Sequence, residues 1–454
     1  MDETRRLAAF CAALRLEDVP AEVALKAKLC ILDFFANIYG SLKLAAVRSV
    51  VEYCRSLGGP EQAHALGCGY LTSVNTAAFV NGVLAEAIEA QDGVRFGGNH
   101  PVSAVMPAVF ALAEREHASG REVLEAVIAG YEACCRPAAA MHPYHTLSGF
   151  LPTGTCGAFG AAAAAARLMR LDDEGMLNAL SHAGYLLPLS MAEQLMGGHT
   201  IKIVQGGQAA QAGITAAGLA HAGLTGCPQV LEGTALKGGF TQITTSAEPR
   251  CERIIDGLGG HYALTDVYFK PYTACRHTHG AIQATLELMR DHRFKAGDVR
   301  QVEVFTYGVA MIAVGKGLEA PTFVAAQFSI PYCVAACLLD HEMGPDQLTE
   351  ARILDPRVVE LSGRVTVAID EELDKIYPDK TASRVEILLA DGRRLTRQVD
   401  IPKGDPRDPM EVADIADKLR RFAETRNRGN LDRLVDLVMD IEHLPAIDAI
   451  CTTI

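Results

Sequence analysis

Apolar residues recur at three- and four-residue spacing from the start of the chain to about residue 260, the pattern of helices that each bury one face. The stretches VRSVVEYCRSLG (47–58), VNTAAFVNGVLAEAIEAQ (74–91), VSAVMPAVFALAEREH (102–117) and REVLEAVIAGYEACCR (121–136) carry it most clearly. Short breaks of Gly, Pro or His separate them, which makes neighbouring helices antiparallel. The second of these helices is predicted to end at Asp92. Near residue 265 the period changes to two. QVEVFTY (301–307), RVTVAID (364–370) and RVEILLADGRRLTRQVD (384–400) read as strands, the last folded at Asp391-Gly392 as a two-residue hairpin. Helical patterns, GAIQATLELMRDH (280–292) and FVAAQFSIPYCVAACLLD (323–340), lie between them. IPKGDPRDPM (401–410) is a hinge, and amphipathic helices return over 411–424 and 430–444. The fold class is therefore mainly α. Residues 1–264 and 405–454 make a large all-helical domain, and 265–404 an inserted, smaller α+β lid domain.

Composition narrows the function classes. With 454 residues of which 49% are hydrophobic, the chain can bury a large core, and disorder is excluded. A net charge of -13 speaks against nucleic acid or an acidic membrane surface as partner. No run approaches the ~20 apolar residues of a membrane span, and the Ala-rich GAFGAAAAAARLM (157–169) reads as a closely packed buried helix. The first residues do not read as a secretion signal. Thirteen cysteines, scattered and odd in number, fit a reduced cytoplasm and neither a disulfide framework nor zinc ribbons.

Against this acidic background, chemistry-bearing residues gather in five places. EAQDGVRFGGNHP (89–101) brackets a Gly-rich loop with Asp92 and His100, a carboxylate and an imidazole suited to acid/base work. GFLPTGTCGAFG (149–160) places Thr153 and Thr155 before a Gly/Ala helix start, as anion-binding amides or as plain caps. In HTIKIVQGGQAAQAG (199–213), Lys202 precedes another helix start and makes a doubly positive corner for a carboxylate, unless it is an ordinary solvated lysine. KPYTACRHTHG (270–280) concentrates Lys270, Cys275, Arg276, His277 and His279. The i, i+2 spacing of its Cys and His residues does not complete a metal set, so the stretch reads as a wall facing an anion. There Lys270 and Arg276 meet carboxylate oxygens and His277 moves a proton. In AQFSIPYCVAACLLD (326–340), Pro331 interrupts a helix, and Tyr332 projects from a first turn or joins the core. No P-loop, nucleophile elbow, dinucleotide fingerprint or HExxH is present.

Taken in order, these motifs resemble the MmgE/PrpD family over nearly the whole chain. The resemblance rests on AAFVNGVLAEAIEAQD (77–92), NHPVSAVMPAVFALAE (99–114), GFLPTGTCGAFGAAAAAARLMRLD (149–172), IKIVQGGQAAQAG (201–213) and GLTGCPQVLEG (223–233). FKPYTACRHTHGAI (269–282), AQFSIPYCVAACLL (326–339) and GDPRDPM (404–410) complete it. It implies a homodimer with an active site between the two domains, and cofactor-independent chemistry on small di- or tricarboxylic acids. Asp92, His100, Lys202, Lys270 and Tyr332 fall at its pocket positions, joined by Cys275 and His277 as catalytic residues, with Arg276, Thr153 and His145 binding substrate and no metal. The reaction expected first is dehydration through removal of a proton beside a carboxylate. Epimerisation of a dicarboxylate and decarboxylation follow. Three positions depart from the family pattern: Leu151 stands where many members have His, Glu86 replaces another His, and Gln91 an Asp. His145 is the nearby imidazole available in place of the one missing at 151.

Overall fold

Small side chains let the helices of the first half approach backbone to backbone, and that closeness builds the floor of the site. A computed structural model describes residues 2–318, 320–423 and 428–454. In chain order, the helical part contains α1 (Ala21–Ser41), α2 (Val74–Glu86), the short strand β1 (Gly93–Val94), α3 (Val102–Glu116), α4 (Gly120–Met141), α5 (Pro152–Leu168) and α6 (Gln205–His221). Ser73 caps α2 by accepting from the Thr76 N–H, and Ser119 with Glu122 forms a capping box on α4. Pro152 opens α5, where its missing N–H costs nothing. The Ala-rich α5 lies at the centre, packed by α3, α4 and α6. A Cβ on Gly82 of α2 would strike the backbone of Gly207 on α6, so only glycines allow this crossing. The crossing sets Glu86, one turn further along α2, against the first residues of α6.

Strand β2 (Val267–Tyr268) then pairs antiparallel with β1, Gly93 opposite Tyr268. Next come α7 (His279–His292), β3 (Val299–Thr306), α8 (Ile330–Asp340), β4 (Val365–Ile369), β5 (Ser383–Leu389) and β6 (Arg394–Val399). The sheet order is β4-β3-β5-β6; β3 and β4 are parallel, the other pairs antiparallel. Alternate residues of β5 are buried, the period-two signature of a sheet with one covered face, and α7 packs on β5 and β6. Finally α9 (Val412–Phe422) and α10 (Arg428–Met439) return to lie against α1. Lys418 of α9 pairs with Asp33 of α1 at 2.6 Å and donates to the Ala90 carbonyl, with both side chains wholly out of solvent. Among the described residues no single helix is long and apolar enough to cross a membrane.

Several boundaries differ from the sequence expectation. Helix α2 stops at Glu86, not Asp92, because Glu89 takes a left-handed backbone (φ 54°) that an α-helix does not admit. The expected helix over 323–340 is two, Phe323–Gln327 and α8, with Ser329 between them capping Tyr332 N–H. The β5–β6 turn uses three residues rather than two: Gly392, at φ 89°, closes the loop Ala390–Gly392 by donating to the Leu389 carbonyl. The helix expected over 411–424 ends at Phe422, and Glu424 lies outside the described residues.

Candidate active site

Glu89 is the centre of the polar cluster. Leaving α2 by a left-handed turn, its carboxylate reaches Lys202 at 2.5 Å and Lys270 at 2.6 Å, one oxygen to each. Lys270 also donates to the Glu89 carbonyl at 3.2 Å. Lys202 reaches Glu86 at 3.0 Å. Glu86 in turn accepts from the Gln205 amide and, at 3.2 Å, from the Gly206 N–H at the start of α6. All four charged groups are buried, Lys270 and Glu86 completely. Burial pushes the Glu89 carboxyl up, but Lys202 and Lys270 outweigh it and hold the group well below the usual carboxylate range. Burial disfavours the Lys202 charge, and Glu86 and Glu89 more than offset this, so its pKa is raised. For Glu86 burial wins, and its pKa is raised despite Lys202. An ammonium has three N–H donors. Lys202 uses two on Glu86 and Glu89, and Lys270 two on Glu89. One donor on each remains free of described residues.

His100 borders this pair. Its Nε2 lies 3.6 Å from Glu89 Oε1, and its Nδ1 donates to the Asp92 carbonyl at 2.5 Å, a bond that puts the proton on Nδ1 and leaves Nε2 able to accept one. Its backbone N–H donates to Thr153 Oγ1 at 3.1 Å, so the helix start at 153 aims the imidazole. Burial first, then Lys270, pushes His100 down to about 3. The sequence pairs the Asp92 carboxylate with the His100 imidazole; the structure corrects this, since the Asp92 backbone carbonyl and not its side chain meets the ring. The Asp92 carboxyl instead accepts from Tyr131 OH at 2.6 Å and Val102 N–H at 3.2 Å, and burial raises it to about 7.

The KPYTACRHTHG stretch brings part of its set to the cluster. Cys275 is buried and feels Glu89 and Lys270, with burial pushing its thiol up to about 11, so it is a neutral thiol. His277 is partly exposed. Its Nδ1 meets Tyr307 OH at 2.5 Å, and burial with Lys270 brings it to about 4, so it is neutral near pH 7. Arg276 departs from expectation. It donates to the carbonyls of Pro402 at 2.6 Å and Lys403 at 2.8 Å, tying the 402–403 segment to its own stretch rather than presenting its fork to a ligand. Tyr332 is a core residue, its hydroxyl bonded to the Gln347 carbonyl and its ring fully buried. His145 is also turned away. Nε2 meets Thr155 Oγ1 at 2.8 Å, Nδ1 meets the Thr244 carbonyl at 3.0 Å, and the ring stacks on Phe150. It does not replace the imidazole absent at Leu151. Among the described residues no three His, Cys, Asp or Glu side chains gather as metal ligands. A surface depression of about 340 Å³ lined by Gln62, Asn75, Arg115 and Thr215 contains none of these groups.

Sequence reasoning missed Glu89 and the partnership of Glu86. A signal was present: Glu86, Glu89 and Asp92 stand three apart in an otherwise apolar AEAIEAQD, and carboxylates buried in such a pattern need cationic partners.

Comparisons with known proteins converge on one family. Residues 5–252 match the MmgE/PrpD N-terminal domain and residues 272–440 the MmgE/PrpD C-terminal domain. Cis-aconitate decarboxylase of Aspergillus terreus is 28% identical over 465 residues, covering 98% of this chain and 94% of that protein. The Homo sapiens cis-aconitate decarboxylase is 28% identical over 395 residues, 83% of this chain and 78% of its own. The 2-methylcitrate dehydratase of Cupriavidus necator is 26% identical over 215 residues, 45% of this chain and 43% of its own.

Proposed function

The chain belongs to the MmgE/PrpD family, and on that premise we propose that it is a cofactor-independent lyase of a small di- or tricarboxylic acid, a hydro-lyase that removes the proton beside a carboxylate. The observation that carries this reading is the Lys202–Glu89–Lys270 bridge, with one N–H of each ammonium left over and His100 Nε2 at 3.6 Å. A substrate carboxylate takes the two remaining donors. Removing the adjacent proton spreads a second electron pair onto that carboxylate, where fixed ammonium donors in a dry site are worth ~10²–10³ in rate apiece. His100 Nε2 accepts the proton. Its low basicity in the free protein comes from burial and from Lys270 and Lys202; a bound dianion offsets the lysines and raises it when it is needed. Glu89 holds the lysines in place between turnovers.

Two relatives named for tricarboxylate reactions support the substrate class. Decarboxylation is the second reading, favoured because the decarboxylase of Aspergillus terreus matches along 98% of this chain. The deciding experiment incubates the purified protein with citrate, 2-methylcitrate, malate and cis-aconitate, following alkene absorbance, carbon dioxide and proton NMR. Alkene formed from a hydroxy acid without carbon dioxide supports the hydro-lyase. Carbon dioxide from cis-aconitate moves the assignment to decarboxylation, inversion at carbon without loss of either moves it to epimerisation, and no change in any acid overturns the reading.

We propose further that the protein works as a homodimer in the cytoplasm. Tyr185, Leu189, Met191 and Met196 are 92%, 64%, 52% and 57% exposed within one short segment, an apolar stretch that a second copy would cover. All thirteen cysteines are unpaired, which suits a reducing compartment.

A further inference from the structure

Elimination of water needs a proton for the departing hydroxide as well as a base for the carbon-bound proton. The residues singled out from the sequence for that second role do not fill it. Tyr332 is sealed against Gln347, and His277 is neutral with Nδ1 held by Tyr307. One phenol near the cluster has no assigned task. Tyr268 lies on β2 opposite Gly93 of β1, with its ring folded back across that glycine. A Cβ at Gly93 would fall 2.5 Å from the ring carbon that bears the hydroxyl and 2.8 Å from His100 Nδ1. The phenol and the imidazole therefore sit side by side over a residue that must be glycine. Tyr268 is partly buried, and its hydroxyl makes no hydrogen bond to a described residue. Arg276 lies over the ring, its guanidinium carbon 5.0 Å from the centroid. Covering Gly93 explains the ring, and Phe would cover it equally well. It does not explain a hydroxyl left without a partner beside the base.

We propose that Tyr268 is the general acid of the elimination, an inference that rests on the hydro-lyase reading above. His100 Nε2 takes the proton from the carbon beside the lysine-bound carboxylate. The C–H electron pair becomes the new C=C bond, and the neighbouring C–O bond breaks with its pair on oxygen. The Tyr268 O–H proton joins that oxygen, and water leaves. The enzyme then holds an imidazolium and a phenolate, and transfer of the proton from one to the other through water restores both groups. The Arg276 guanidinium over the ring stabilises the phenolate while it lasts. Burial and the nearby Glu89 keep the phenol protonated before the reaction, which suits a donor to a hydroxide as basic as the one expelled.

The test is Tyr268→Phe in the full chain, which removes one oxygen and keeps the cover over Gly93. Against a hydroxy acid that the wild type dehydrates, kcat should fall ~10²–10⁴-fold, the usual contribution of a positioned acid. Deuterium exchange of the carbon-bound proton should persist, since the base and lysines are intact. With an analogue bearing fluorine in place of the hydroxyl, whose leaving anion needs no proton, variant and wild type should eliminate at equal rates. Dehydration by the variant within twofold of wild type, or an equal loss on the fluoro analogue, overturns the role of Tyr268 and leaves the hydro-lyase reading standing. A wild type that exchanges no proton and eliminates nothing from any polycarboxylate overturns the reading itself, and this proposal with it.

Discussion

Glu89 gathers more of the chemistry than any other single side chain: it joins two lysines and borders the imidazole from a left-handed turn that few non-glycine residues adopt. Such a conformation, held by ion pairs, marks a position specified for more than packing. Lys270→Met should lower turnover ~10²–10³-fold with an unchanged circular dichroism spectrum, because Glu89 keeps Lys202 as partner. A second prediction concerns pH. His100 works in its neutral form and is pushed down to about 3 in the free protein, so kcat/KM should show no acid limb from this residue between roughly pH 8 and 5. A third concerns Asp92, raised by burial to about 7. A carboxyl raised on folding contributes stability below its unfolded pKa of ~3.9 and loses it as pH rises through the folded value, a span on the order of 4 kcal/mol. Urea titrations of wild type and Asp92→Asn should therefore diverge between these limits, the wild type losing more stability with rising pH than the variant. The lysines and His100 were legible in the sequence because a charge in an apolar stretch stands out. Glu89 was not, since its worth depends on two partners more than a hundred residues away, and Tyr268 passed as one more aromatic beside Phe269.

Elements fix where these residues stand. The Gly82–Gly207 crossing brings α2 onto α6, so Glu86 meets Lys202 and the first amides of α6. The strands were readable from their period of two, and the long helices from their apolar faces. The end of α2 was misread because Ala87–Ala90 continues the apolar pattern, and nothing local reports a left-handed residue. Arg276 was misread because a cation beside a candidate pocket looks the same whether it faces ligand or backbone carbonyls. Helix α9 contributes from behind: Lys418 holds the Ala90 carbonyl next to Glu89 and neutralises Asp33. Lys418→Met leaves that carboxylate buried without its cation, with the Asn37 amide still donating to it, which should cost about 3–5 kcal/mol in chemical denaturation, whereas Asp33→Asn with Lys418→Met should recover most of it.

At the scale of the molecule, a chain of net charge -13 keeps its working cations in a buried polar cluster where helices α2, α6 and the β1–β2 pair meet. Acidic surroundings leave anionic substrates to be held by a few desolvated donors rather than by a basic surface, consistent with a small ligand. The exposed apolar segment around Leu189 predicts a dimer in sedimentation velocity, and Leu189→Glu with Met196→Glu should shift it to monomer. Lys202 and Lys270 together should make a carboxylate's neighbouring proton removable. Proton NMR of citrate and malate in D₂O measures this directly, comparing wild type with Lys270→Met. Deuterium entering beside a carboxylate with the wild type, at a rate ~10²-fold or more above the variant, is the result expected. Equal exchange by both proteins, or none by the wild type with any small polycarboxylate, would contradict it.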